Sequence, residues 1–283
     1  GERPSADMPA LALSYLLSGD ESFARRALEE LRADKPTGSR GSNRYVRTLN
    51  RSLAFDWLYG YPGFDAAVKD AVAADLVAGA EQMLALPSLK DPAQASYHNH
   101  TVRELALAVF SLSAVEGHPS VESRAAPLRA HAWKAFDNVL EQTELVNPDG
   151  AYHESTDYMR ITWAPLAMMA EVRRTTTGED PAARWSAFRN MGTTYLYKVL
   201  PDGSEARDDD NEYPHLDTRD NVVLGYAVHR FKDPYAAWLL QQRAWLPAEW
   251  ANPVLQFLWN DPTVVFFNDA ATTETELPRQ RHF

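Results

Sequence analysis

The sequence contains no cysteine. That excludes disulfide bridges and thiolate-ligated metals, and it leaves the compartment open, since secreted proteins also do without the residue. No apolar run approaches the roughly 18 residues that a membrane-spanning helix requires, so no membrane span is expected. Basic residues are in the minority, 28 Lys and Arg against 39 Asp and Glu, for a formal charge of -11. General nucleic-acid binding is therefore not expected, because neutralising phosphates takes clustered cations. A local basic cleft for an anionic ligand remains compatible with that charge. Signatures of metalloproteases, P-loops, nucleophile elbows and dinucleotide-binding turns are all missing. No secretory leader is visible. The chain opens on Gly1 rather than Met, which is compatible with removal of a leader or a longer upstream segment.

What is present is a chain of 283 residues, 45% of them hydrophobic, enough for one large domain or two small ones. Apolar residues recur at helical spacing almost throughout. Leu11, Tyr15 and Leu16 predict a first helix; Phe23, Ala27, Leu28 and Leu31 predict a second. Ser42 or Asn43 can cap a third, which Gly60 and Pro62 end. Further helices are expected over about 64–86, 100–115 and 121–145, with Pro127 marking a start or a kink in the last. Beyond the Asn147–Gly150 turn the pattern resumes at Met159, Trp163 and Leu166. It continues in one helix after Pro181 and in three more near 218–231, 234–243 and 253–259. Val264–Phe267 is the one convincing strand candidate. About ten helices with short Gly/Pro-punctuated links predict an all-α chain of antiparallel hairpins. Without a fixed repeat period, an α/α toroid is favoured over a regular solenoid. Residues 1–262 form the expected toroid domain.

Two polar segments stand out. Ser96–Thr101 carries Tyr97, His98, Asn99 and His100 at the entrance to a helix. On a helix, His98 and His100 diverge by about 200°, so they would not share a metal there. Asn99 or Thr101 could instead simply cap the helix. The second segment, Asp149–Arg160, enters a helix through Tyr152, His153, Glu154, Asp157, Tyr158 and Arg160. If that stretch is helical, Glu154 and Tyr158 share a face. A third candidate is the stripe Arg44, Arg47 and Arg51. It could grip a planar anion bidentately or bridge to acidic neighbours. Asp208–Asp210 lacks the alternate-ligand spacing, glycine and closing Glu of an EF-hand. A capping or rim role is expected there, and no metal site.

Together these features resemble the heparinase II/III-like polysaccharide lyases and the related alginate lyases and uronyl epimerases. The resemblance rests on Asn99-His100 opening a helix, on Asp-Gly-x-Tyr-x-Glu-x-x-x-Tyr from Asp149 to Tyr158, and on Pro201-Asp202-Gly203 followed by Asp208–Asp210. This chain has Thr101 and Ser155 where the family often has Gly. The resemblance implies a helical toroid, here an incomplete one, followed by antiparallel β-sheet domains. Residues 263–283 would then lead toward a β-sheet domain that completes the site. It also implies cleavage of a uronic-acid polymer, of glycosaminoglycan or alginate type, by β-elimination without a cofactor. The expected partner is an anionic polysaccharide or oligosaccharide, and the expected location is periplasmic or secreted.

Under that resemblance Asn99 and Arg160 would neutralise the substrate carboxylate. His100 would be base or carboxylate partner. Tyr158 would protonate the departing oxygen, and would also be the base in a syn elimination. His98, Tyr152, Glu154 and Arg44 would orient these groups or contact neighbouring sugars. Related possibilities are a uronyl C5-epimerase, a toroid glycoside hydrolase using Glu154 and Asp157 or an Asp208–Asp210 carboxylate, and a non-catalytic glycan-binding domain.

Overall fold

In the computed structural model, residues 7–34, 42–200, 204–206, 218–241, 253–259 and 261 are described. Within them lie twelve α-helices: α1 Asp7–Ser18, α2 Glu21–Ala33, α3 Ser42–Leu58, α4 Ala66–Leu84, α5 Asn99–Ala114, α6 Glu122–Val146, α7 Thr156–Thr177, α8 Pro181–Arg184, α9 Ser186–Lys198, α10 Thr218–Phe231, α11 Pro234–Gln241 and α12 Pro253–Leu258. The described residues are thus all-α. They contain no strand, only an isolated antiparallel bridge between Val199 and Glu205. The expected strand at Val264–Phe267, the segment 263–283 and the Asp208–Asp210 cluster lie outside the described residues. No described helix is long and apolar enough to cross a membrane.

The chain divides into two compact units, residues 1–96 with 100–139, and residues 97–99 with 140–283. In the first, α1 packs on α2 and α3, and α3 also meets α2 and α4. Met8, Leu31, Phe55, Leu58, Leu105 and Phe136 are fully buried in it. Its helix starts follow capping chemistry. Asp20 accepts the Ser22 N–H at 2.8 Å and Asp65 accepts that of Ala67 at 2.8 Å, each replacing a bond the first turn cannot make internally. Two residues of the arginine stripe serve this unit's interior rather than an external anion. Arg51 donates to the Leu31 carbonyl at 3.1 Å and pairs with Asp75 at 3.5 Å, while Arg47 faces Asp34 at 3.8 Å. Both therefore tie α3 to its neighbours. Arg44 lies in the first turn of α3, with its side chain outside the described residues.

In the second unit α7 packs on α10, which in turn meets α9, α11 and α12. Trp163, Phe188, Tyr195 and Tyr226 fill its core. The single helix expected after Pro181 is two. Asp180 caps α8, and extended Trp185 (φ -100, ψ 127) ends it. The Glu144 carboxylate then accepts the Ala187 N–H at 3.0 Å to start α9. A cap supplied from 43 residues away leaves no local signature. Pro127 lies inside α6, not at its start. α7 begins at Thr156, so Glu154 precedes the helix and the expected Glu154–Tyr158 helical pairing does not form.

The Asn147–Gly150 turn is pinned against α9. Asn190 Nδ2 donates to the Pro148 carbonyl at 2.9 Å, and the Thr194 hydroxyl donates to that of Asp149. Gly150 sits at φ +83, and a Cβ there would lie 2.5 Å from the Met191 nitrogen. Backbone conformation and space both demand glycine. Gly150→Ala should therefore cost about 2–6 kcal/mol, since left-handed strain and overpacking each contribute about 1–3. Gly19→Ala, at φ +72 in open space, should cost about 1 kcal/mol. Paired urea denaturation curves check the contrast.

Candidate functional site

The site in the second unit begins with rings. Gln142 Oε1 accepts the Tyr97 N–H at 3.1 Å and anchors the lead-in to α5. The Tyr97 ring meets that of Tyr152 edge-on, with centroids 4.8 Å apart. His153 packs against both, at 5.3 Å from Tyr97 and 4.8 Å from Tyr152. Edge-on aromatic pairs add about 0.5–1.5 kcal/mol beyond their buried area. The cluster thus fixes the two polar segments side by side.

On this base the Glu154 carboxylate is the hub. It accepts the Asn99 backbone N–H at 2.8 Å and Asn99 Nδ2 at 3.0 Å. The Tyr152 hydroxyl donates to the same carboxylate, and His98 Nε2 lies 3.1 Å from it. An ionised carboxylate only accepts, so the NH2 of Asn99 must face it. The Asn99 carbonyl oxygen points away, buried and without a hydrogen-bond partner. Burial works against the charge on Glu154. The bonds from Tyr152 and from the Asn99 backbone, the nearby His98 and the Asn99 amide outweigh it and hold the carboxyl below its ordinary range. Tyr152 moves the opposite way: burial and the bond to Glu154 push its phenol up. Tyr97 is also raised well above the ordinary value, by burial first and then by Tyr152. Both phenols keep their protons, and neither suits the role of a phenolate base.

Ser155 follows the hub at φ 102, ψ 170 and heads α7 without a side-chain cap bond. Its hydroxyl is buried and has no partner. This backbone region belongs almost entirely to glycine, and a side chain held there costs of order 1–3 kcal/mol. Strain of this kind persists only where the surroundings impose it. Here the fixed Tyr152–Glu154 run on one side and the start of α7 on the other do so.

Asn99, His98, Tyr152 and Glu154 are therefore brought together, joined by Tyr97 and His153. Tyr158 is half-buried in the first turn of α7. His100, next to Asn99 in sequence, is exposed and belongs to the first unit.

Arg160 requires a correction. It is fully buried, and its guanidinium faces three carboxylates: Glu205 at 2.6 Å, Asp157 at 3.4 Å and Asp220 at 3.5 Å. Glu205 and Asp220 are themselves fully buried. A cation committed to such partners is an internal counter-ion and not a substrate contact. Its spacing carried the signal, because Arg160 lies three residues before Trp163 on the buried face of α7. No sequence feature announced the partners. Glu205 arrives through the Val199–Glu205 bridge, where the Leu200 N–H donates to Ser204 O at 2.7 Å and the Ala206 N–H to Lys198 O at 2.9 Å.

Among the described residues no group of three or more His, Cys, Asp or Glu side chains could hold a metal ion. The chain matches no known family model and no curated protein sequence.

Two outcomes follow from this geometry. Ser155→Gly should stabilise the protein by about 1 kcal/mol through release of the backbone strain, read as a raised denaturation midpoint. Glu154→Gln should destabilise it by about 1–3 kcal/mol at neutral pH, the usual cost of a lost charged hydrogen-bond acceptor. Because folding lowers the carboxyl pKa from its ordinary 4.5, that stabilisation is present above 4.5. It is lost as pH falls through the lower folded value. The gap between variant and wild type should therefore close on acidification, in denaturation midpoints measured across pH.

Proposed function

We propose that the chain is the helical part of a polysaccharide lyase that cleaves a uronic-acid polymer, of glycosaminoglycan or alginate type, by β-elimination. The observation that carries this reading is the convergence of the two polar segments on one carboxylate. Glu154 holds Asn99, His98 and Tyr152 at once. The helices would form an incomplete α/α toroid, with a β-sheet domain completing the site and a periplasmic or secreted location.

The chemistry needed is specific. A uronide C5 proton becomes removable only when the adjacent carboxylate is neutralised by hydrogen bonds or positive charge. With Arg160 withdrawn, that task falls to Asn99. Asn99 Nδ2 keeps a second hydrogen after binding Glu154. A base then takes the C5 proton, and an acid protonates the departing O4. Tyr158 supplies the acid and, in a syn elimination, the base as well. Tyr152 and Glu154 hold the arrangement together.

A glycoside hydrolase of this site would need one carboxylic acid with a raised pKa to protonate the leaving group. Glu154 is held below its ordinary range, so it does not suit that role. A uronyl C5-epimerase would share the carbanion and differ only in returning the proton to the other face. Incubation with alginate, hyaluronan, chondroitin and heparan sulfate should generate an unsaturated uronide absorbing in the ultraviolet. Tyr158→Phe should reduce its rate by about 10²–10⁴. Solvent deuterium entering C5 without cleavage would point to the epimerase, and absence of both signals would sink the proposal.

A further inference from the structure

We propose that Tyr59, His118 and Asp70 form a nucleophilic relay within the first unit, in which the Tyr59 hydroxyl takes an acyl group from an activated carboxylic ester. The inference stands apart from the lyase reading and uses none of its residues.

Three segments supply the relay. Tyr59 directly follows α3, Asp70 lies near the start of α4, and His118 sits in the turn between α5 and α6. His118 Nε2 is 3.0 Å from Asp70 Oδ1, and its Nδ1 is 2.9 Å from the Tyr59 hydroxyl oxygen. An ionised carboxylate only accepts, so Nε2 carries the hydrogen. In the neutral ring Nδ1 then holds the lone pair, and the Tyr59 hydroxyl donates to it. Both ring nitrogens are thus engaged, and the direction of proton transfer is set. The proton passes from Tyr59 to the imidazole, with Asp70 behind it to stabilise the imidazolium. A nucleophile, a base and an orienting group within hydrogen-bond reach are the parts that general-base activation of a hydroxyl requires.

Packing and exposure assign the roles. The His118 side chain is 6% exposed and stands edge-on to the rings of Phe55 and Tyr59, at centroid distances of 6.0 and 5.7 Å. Phe55 is fully buried, so the imidazole rests against a fixed apolar floor. Tyr59 is 38% exposed. The base therefore lies inside and the nucleophile at the surface. Lys69 Nζ lies 4.8 Å from the Tyr59 ring centroid, and a cation there favours the negative charge that develops on the phenol oxygen as its proton leaves.

The step balances without a co-reactant. Tyr59 Oη bonds to the ester carbonyl carbon as its proton passes to His118 Nδ1, and the carbonyl π pair moves onto oxygen. When that pair returns, the bond to the alkoxy oxygen breaks with its electrons on the leaving oxygen, which takes the proton from His118. The products are an acyl ester on Tyr59 and a free alcohol. Asp70 is a positioning residue, since it acts through His118.

The test uses the full chain with p-nitrophenyl acetate as the activated ester, and peptide mass spectrometry reads the acetylated positions. In wild type, Tyr59 should acetylate about 10²–10⁴ times faster than the other tyrosines, as an ester that hydroxylamine removes. His118→Gln should abolish that lead. Asp70→Asn, made at a side chain 56% exposed, should lose most of it with the urea midpoint little changed, which a merely structural role would not produce. A wild-type Tyr59 that acetylates no faster than the other tyrosines overturns the proposal without any variant, as does acetylation of Lys69 in its place. A folded Asp70→Asn protein that keeps the full lead overturns the relay. None of these outcomes depends on uronide elimination, so this proposal and the lyase reading fail separately.

Discussion

A carboxylate withdrawn from water must find donors, and Glu154 finds them in residues that the chain separates by 55 positions. Much of the local structure follows from that demand. The first N–H of α5 and the Asn99 amide are turned toward Glu154, Tyr152 is held as a neutral phenol, and His98 presents one defined ring nitrogen to it. The Tyr97–Tyr152–His153 cluster supplies the apolar wall that makes the carboxylate's bonds strong, since a low local dielectric strengthens every satisfied polar contact. The same wall makes any unsatisfied group costly. Among those that remain are the Asn99 carbonyl oxygen, the Tyr97 hydroxyl and the Ser155 hydroxyl.

Arg160 shows how the same physics yields a different role a few residues on. Its guanidinium is enclosed by Glu205, Asp157 and Asp220, where it neutralises carboxylates that would otherwise be buried without a counter-charge. Ion pairs of this kind cost desolvation on both sides and lose several kcal/mol when one member is removed. Arg160 therefore belongs to the frame that holds α7, the Val199–Glu205 bridge and α10 in register. A charge next to a polar motif in sequence need not share its surface, because successive helical positions turn by about 100°.

Much of the architecture was readable before any coordinates. Apolar spacing located α1 to α7 and α10 to α12. Legibility stopped where the deciding partner is distant. The break between α8 and α9 depends on a Glu144 cap, and the start of α7 at Thr156 depends on Glu154 being drawn to Asn99. Tyr97 and His153 escaped notice as site components because an aromatic at a helix entrance looks the same in sequence whether or not other rings meet it.

The division between the two sources is physical. The residue types at 97–101 and 152–158 and the helical periods around them are consequences of local backbone and side-chain chemistry, so the sequence by itself determined them. Which polar groups share a carboxylate, which arginine is enclosed by acids, and which non-glycine residue is held at positive φ were decided only by the tertiary structure. Hydrogen bonds and ion pairs act over about 3–4 Å in space, and only folding sets those distances between residues far apart in the chain.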